Sequence, residues 1–449
     1  MRDLLHDAAG RAARYLENVG ERPVFPPEAA VAGLEALAGP LPAGPSDPAD
    51  TLRRLDEVAG PATVASAGGR YFGFVTGGAL PATVAAAVLA AAWDQNAGMT
   101  VMSPATTRLE EVALGWAAEL LGLPAGCAGA LVTGATMANF SGLAAARRAL
   151  LLRRGWDVER EGLFGAPPLT VVVGEEVHVS LLKALGMLGL GRERVVRVPV
   201  DGQGRMRPDA LPALDDATIL CLQAGNVNTG ALDPARELCA RARAAGAWAH
   251  VDGAFGLWAA ASPAYRHLAD GYGEADSWAT DAHKYLNVPY DSGVAFCRDG
   301  EALRGAMMMG AAYLQAAERR EPLHYSPEMS RRARGVELWA ALHSLGRAGM
   351  AELVERTCRH GRRFAEGLRA AGHAVLNEVV LNQVLVSFGD DERTRGVVAA
   401  AQAEGTCWAG ATVWQGRAAM RISVSSWATT DEDVERALAA ILAAAARGS

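Results

Sequence analysis

Between residues 128 and 298 the chain alternates short apolar runs with longer amphipathic stretches. Ala130–Val132, Leu169–Val173, Arg194–Val200, Thr218–Gln223, Ala247–Val251 and Gly293–Cys297 read as strands. Met137–Leu152, a segment from about Val179, and Pro234–Ala245 carry helical spacing. Such alternation predicts an α/β fold with a mainly parallel sheet, helices on both faces, and ligands at the carboxyl ends of the strands. Upstream, Arg70–Thr76 alternates like a strand and leads into Gly77-Gly78. Pro81–Trp93 is a charge-poor helix, expected to be buried. Ser103–Leu121 opens on a Ser-Pro helix start, and its apolar positions 109, 112, 116 and 120 predict the buried face. Residues 1–60 read as short amphipathic helices broken at Arg22-Pro23 and over Gly39–Pro48; they need a larger body or a second subunit to pack on. Past the sheet, Gly300–Ser330 shows little periodicity, which in a compact domain marks a functional or mobile segment. A helix from Arg331 to about Ala371, strands Val384–Phe388 and Met420–Val424, and a closing helix Asp431–Ala446 form a smaller α+β domain. The expected division is an N-terminal segment 1–75 packing on a dimer partner, a large domain 76–320 and a small domain 321–449.

Composition removes several classes of function. A chain of 449 residues can bury a large core, and its net charge of −7 with dispersed basic residues argues against nucleic acid as partner. No apolar run reaches membrane-spanning length, and residues 1–20 carry charges throughout, unlike a signal peptide. Six scattered cysteines without a CxxC pair read as reduced thiols of a cytoplasmic protein, and no metal ligand set is expected.

The informative composition lies among the 43 basic side chains, of which only Lys183 and Lys284 are lysines. Arginine serves wherever positive charge suffices, but it cannot lose its proton and attack a carbonyl. Lys284 follows His283 on a turn just before the Gly293–Cys297 run, beside a sheet, whereas Lys183 lies within a helix as a surface or packing residue. About thirty residues upstream, Asp252 ends an apolar strand. A strand-end carboxylate and a turn lysine suit pyridoxal phosphate (PLP), the lysine holding its aldehyde and the carboxylate keeping its ring nitrogen protonated. Thr133-Gly134-Ala135-Thr136 joins a strand to a helix, which offers helix N–H groups to a phosphate. His178 starts a helix just past a strand, where the imidazole either stacks on a ring or caps the helix. Asn226 and Asn228, after another strand, either face the cofactor or form the turn. Tyr313, His324 and Tyr325 are possible proton donors, and Arg421 either binds a substrate carboxylate or pairs structurally, the second being favoured.

Taken together these segments resemble the PLP-dependent group II amino acid decarboxylases, the aromatic L-amino acid and glutamate decarboxylase family. The resemblance runs from about Pro61 to the last helix. It rests on RYFGFVTGG (70–78), SPATTRLEE (103–111), TGATMAN (133–139), EEVHVS (175–180), HVDGAFG (250–256) and DAHKYL (281–286). It implies PLP fold type I and an obligate homodimer with active sites at the subunit interface. It also implies that Lys284 is the covalent cofactor lysine, Asp252 the ring-nitrogen partner, His178 the stacking residue and Ala254 a ring-face contact. Gly134, Ala135 and Thr136 then hold phosphate, with Asp281 and Asn228 also at the cofactor. Tyr313 falls where family members carry a mobile-loop tyrosine that protonates the substrate carbon, and His283 is the other candidate donor. Thr76 falls where the family contacts the substrate carboxylate, with Phe74 and Asn96 as further substrate-facing positions. Family members often have asparagine where this chain has Asp281, a threonine-rich turn in place of Asn226-Val227-Asn228, and, when specific for aromatic substrates, bulky apolar residues near Asn96 and Gly98.

The leading expectation is decarboxylation of an L-amino acid to amine and CO₂. The alternatives are transamination or an oxygen-consuming conversion to an aldehyde, and, from another class, a catalytically silent scaffold. Tyrosine at 313 favours amine over aldehyde, and the retained Lys284 argues against the scaffold.

Overall fold

The computed structural model describes residues 1–308 and 320–447. They form two compact units, the larger made of Ala79–Arg359 and Asn377–Gln383, the smaller of Met1–Gly78, His360–Leu376 and Val384–Ser449. The N-terminal segment therefore clusters with the C-terminal part of the chain. The larger unit also runs past the boundary expected at 320, because Arg331 and the helix after it are tied into its interior.

Strands in chain order are β1 (Tyr71–Phe72), β2 (Ala128–Val132), β3 (Thr170–Gly174), β4 (Val196–Val198), β5 (Thr218–Gln223) and β6 (Trp248–Asp252). β7 (Ser277–Asp281), β8 (Gly293–Cys297), β9 (Ala374–Val375), β10 (Gln383–Ser387), β11 (Trp408–Trp414) and β12 (Arg417–Ser423) follow. The larger unit holds a seven-stranded sheet in the order β2-β8-β7-β6-β5-β3-β4. Neighbours from β4 through β7 are parallel, and only β8 runs against both of its neighbours. β5 and β6 are buried almost throughout, as continuous apolar runs covered on both faces must be. The helix Ala135–Arg153 lies on this sheet through small residues. A Cβ on Gly142 would stand 2.7 Å from the ring of His250, so only glycine allows that approach.

Several expectations need correction. β7 is a strand that the apolar pattern does not announce, because Thr280 and Asp281 interrupt it although the whole strand is buried. Gly300–Met307 is helical, its start fixed by Asp299 accepting from the Glu301 and Ala302 N–H groups. The strand expected over Arg70–Thr76 stops at Phe72, and Phe74 and Val75 take φ of 53° and 60°. Pro81–Trp93 is helical as expected but not buried: Val88, Leu89 and Trp93 are exposed. In the helix Pro104–Leu120 the covered face is Thr106, Glu110, Ala113, Leu114 and Ala117, whereas Trp116 is exposed.

Glu110 explains that rotated face. It forms a paired contact with Arg331, 3.1 Å and 3.0 Å, while Arg331 also donates to the Leu131 carbonyl at 2.9 Å. Both side chains are essentially inaccessible. Removing one member strands a buried charge, so Glu110→Ala is expected to lower stability by about 3–5 kcal/mol, whereas Glu110→Met with Arg331→Met should recover most of it. Denaturant unfolding of the parent and the two variants measures this; equal losses in the single and the double variant would contradict it.

In the smaller unit a five-stranded sheet has the order β1-β11-β12-β10-β9, with β1 parallel to β11. Tyr71 and Phe74 stack on Trp408 at 5.2 Å and 5.3 Å. A Cβ on Gly73 would fall 2.3 Å from the Trp408 ring, which explains the glycine between two aromatics. The helix Asp391–Glu404 and β11 have no clear signature in the sequence, where alanine-rich and half-exposed segments give weak periodicity.

Candidate active site

Because β8 runs backwards between β2 and β7, the carboxyl ends of those two strands meet at one residue. Gly293 is opposite Val132 on one side and Asp281 on the other. The turn after β2 and the turn after β7 are thereby brought together. A Cβ on Gly293 would overlap Gly134 at 2.4 Å, and one on Gly134 would press on His283 at 3.3 Å. Gly293 is dictated by that crowding, whereas a side chain at Gly134 would need the His283 ring to give by a few tenths of an ångström. The helix Ala135–Arg153 starts at Gly134 without a side-chain cap, so the first-turn N–H groups of Ala135 and Thr136 are not consumed by one.

On the β7 turn, the Lys284 ammonium lies 3.3 Å from Asp281 Oδ2, and His283 Nε2 lies 3.4 Å from the same oxygen. Ser292 N–H donates to His283 Nδ1, which leaves the imidazole proton on Nε2, facing Asp281. Burial opposes ionisation of Asp281, but Lys284 and His283 more than offset it and hold the carboxyl below its ordinary range. Lys284 itself is largely covered, 17% exposed, whereas Lys183 is exposed on its helix.

One strand over, β6 ends at Asp252, which is buried and opposite Ala279 of β7. Asn139 Nδ2 donates to its Oδ2 at 3.1 Å, and Ala254 N–H to its Oδ1 at 3.3 Å. Ala254 in turn accepts from the Asp281 N–H, which ties the two strand ends. His178 follows β3 and caps the helix Val179–Met187, its Nδ1 accepting from the Ser180 N–H. It also lines, with Gly174, Cys221, Gln223 and Asp252, a small cavity at the carboxyl ends of β3, β5 and β6. Capping and ring-facing roles are thus compatible for this histidine, since the cap bond fixes the ring that lines the cavity. In the turn after β5, Asn226 accepts from the N–H groups of Asn228 and Thr229, so Asn226 is the turn former and Asn228 is a buried residue held by it.

A match to the conserved domain of pyridoxal-dependent decarboxylases covers residues 68–389, most of the chain. The chain belongs to that family. Its activity is PLP-dependent decarboxylation of an amino acid, and it is a lyase. Tryptophan decarboxylase 1 of Oryza sativa subsp. japonica is 27% identical over 469 residues, covering 95% of this chain and 90% of that protein. L-2,4-Diaminobutyrate decarboxylase of Acinetobacter baumannii is 27% identical over 387 residues, covering 79% and 74%. The crystal structure of Oryza sativa TDC with PLP and tryptamine matches with a TM-score of 0.90 at 24% identity, covering 99% of this chain and 97% of that one, which establishes fold type I.

The decarboxylase's own residues fit the cofactor. Around Lys284 three buried oxygens, Thr280 Oγ1, Asp281 Oδ1 and Ser292 Oγ, have no hydrogen-bond partner among the described residues, as at a site built for a polar ligand. An amine, a helix N-terminus and a strand-end carboxylate complete the donor and acceptor set. Asp281 has Oδ2 engaged by Lys284 and His283, while its buried Oδ1 has no partner among the described residues. Asn96 accepts from the Gly98 and Arg331 N–H groups and donates to Ser330 Oγ, a turn-holding set of bonds. Phe74 and Thr76 belong to the smaller unit, where Phe74 is exposed and the Thr76 N–H bonds the Gly73 carbonyl. Tyr313 lies outside the described residues. Asn139 and His250 fall within the family motifs, but the sequence by itself gives them no role. The one signal for them is a single asparagine in the otherwise small and apolar first turns of a helix.

Proposed function

We propose that this chain decarboxylates an L-amino acid to the corresponding amine and CO₂, with Lys284 as the covalent anchor of the cofactor. The observation carrying that assignment is Lys284 itself, one of only two lysines, covered and paired with Asp281 beside the helix start at Gly134. When bound there, PLP supplies an aldehyde for capture of the substrate amine and a ring that accepts the electrons of the broken Cα–carboxylate bond. Asp281 Oδ2 positions the Lys284 amine. Ala135 and Thr136 bind the phosphate through first-turn N–H groups, with Gly134 giving access. Asp252, fixed by Asn139 and Ala254, holds a cationic ring nitrogen. His178, fixed through Nδ1, and Ala254 would contact the ring, and Asn228 would add a further cofactor contact. The site must orient the substrate so that its carboxylate, not its Cα–H, is the group displaced. Either the Tyr313 hydroxyl or His283 Nε2 is the proton donor for the substrate carbon.

A panel of amino acids scored for CO₂, amine, aldehyde and oxygen uptake tests this reading. Amine and CO₂ in equal amounts without oxygen uptake is the expected result; keto acid without CO₂ would favour transamination. Tyr313→Phe is expected to slow amine release by roughly 10²-fold and divert product to aldehyde with oxygen consumption. Unchanged amine turnover would remove Tyr313 from this role.

The second part of the proposal is a homodimer in a reducing cytoplasm. The helices Arg2–Asn18 and Pro48–Ala59 bury no residue, and Val88, Leu89 and Trp93 are exposed along an apolar helix. All six cysteines are free, and among the described residues no helix is long and apolar enough to cross a membrane. Sedimentation velocity is expected to give twice the chain mass, with dissociation on Leu89→Glu. A monomer at all micromolar concentrations would overturn this.

A further inference from the structure

We propose that Asn139 and His250 are positioning residues that end a one-way chain of hydrogen bonds on Asp252 and so set how firmly that carboxylate holds the cofactor's ring nitrogen. This rests on the reading of Asp252 given above and extends it inward from the site.

The placement follows from strand geometry. Trp248, His250 and Asp252 alternate along β6 and share one face, and His250 is opposite Ser277 of β7. Asn139 comes from the helix packed on that face, one turn before Gly142, whose missing side chain admits the His250 ring. Every member of the chain is buried.

Its direction is fixed at both ends. Trp248 Nε1 can only donate, and it reaches Ser277 Oγ at 2.9 Å. The serine hydroxyl proton is then free for His250 Nδ1, 2.8 Å away. His250 therefore carries its proton on Nε2, which faces Asn139 Oδ1 at 2.9 Å. Asn139 Nδ2 donates to Asp252 Oδ2 at 3.1 Å, and an ionised carboxylate can only accept. Burial lowers the His250 pKa to about 3, so the ring stays neutral and the direction does not reverse. Neither Asn139 nor His250 has a reason to be polar in a helix–sheet core except this connection. Hydrogen bonds in such a row polarise one another toward the terminal acceptor. The row ends on Asp252 Oδ2 and fixes the orientation of the carboxylate that would hold the ring nitrogen.

The test uses holoenzyme reconstituted with ¹⁵N-ring-labelled PLP, reading the cofactor dissociation constant and the ring-nitrogen resonance. Asn139→Ala is expected to weaken cofactor binding roughly 10- to 100-fold, the effect of losing one hydrogen bond to a charged group. It should also move the ¹⁵N resonance toward the unprotonated position. His250→Gln keeps an N–H where Nε2 stands and should stay close to the parent, whereas His250→Leu should behave like Asn139→Ala. Folding is checked by near-UV circular dichroism of the apo-protein; if Asn139→Ala does not fold, the two His250 variants decide. A folded Asn139→Ala with parental affinity and an unmoved resonance overturns the inference, as does equal behaviour of the two His250 variants. Asp252→Asn separates the levels: if it too leaves the resonance unmoved, the assignment of Asp252 to the ring nitrogen is what fails.

Discussion

Lys284→Ala is expected to lose covalent cofactor attachment and at least about 10³-fold of amine production while keeping its fold. The side chain is needed as a nucleophilic amine, so Lys284→Arg should be equally inactive although it preserves the charge next to Asp281. That pair of variants separates chemistry from electrostatics. Alanine leaves the buried Asp281 carboxylate with His283 alone, so burial regains influence and its pKa moves up from the depressed position. The measurement is borohydride reduction of the holoenzyme followed by peptide mass mapping. In the parent the reduced adduct belongs on Lys284 and in both variants it should be absent. An adduct on Lys183, the exposed helical lysine, would refute the assignment.

Lys284 stands out in the amino-acid sequence alone because of its chemistry. Arginine cannot replace an amine that must deprotonate, so in a chain that uses arginine almost everywhere the lysine proposed to hold the cofactor is visible. Asp252 is legible for a related reason, since a carboxylate closing a fully buried, mostly apolar strand is costly unless something holds it. Strands β5 and β8 have the bounds the sequence suggests, because continuous apolar runs between turns leave little choice. β7 is not legible. Its Thr280 and Asp281 are polar although buried, which erases the apolar signature of the strand that leads to Lys284. The same conflict hides the inner face of Pro104–Leu120, where Glu110 is buried only because Arg331, distant in sequence, meets it. Long-range polar pairs have no local period. The link between Asn139 and Asp252 is out of reach for the same reason, spanning a helix and a strand more than a hundred residues apart.

Asp252→Asn is the sharper test of how the site works, because it changes charge with almost no change in shape. The two carboxylate oxygens accept from different donors, Asn139 Nδ2 and the Ala254 N–H. An amide has one acceptor oxygen, so one of those buried donors must face an NH₂ group instead. We expect that mismatch to cost about 1–3 kcal/mol of stability, seen as a lower unfolding midpoint of the apo-protein. The functional loss should be larger and of another kind. A neutral amide cannot hold a cationic ring nitrogen, so turnover at saturating PLP is expected to fall about 10²- to 10³-fold, as when one preorganised charge partner is removed. Excess cofactor should restore occupancy without restoring rate. If instead added PLP returned the variant to parental turnover, Asp252 would serve binding alone, and the electron-accepting role of the ring would have to be sustained by another group. If turnover were parental without added cofactor, Asp252 would be a strand-end cap, and the hydrogen-bonded row behind it would be packing detail in a buried core.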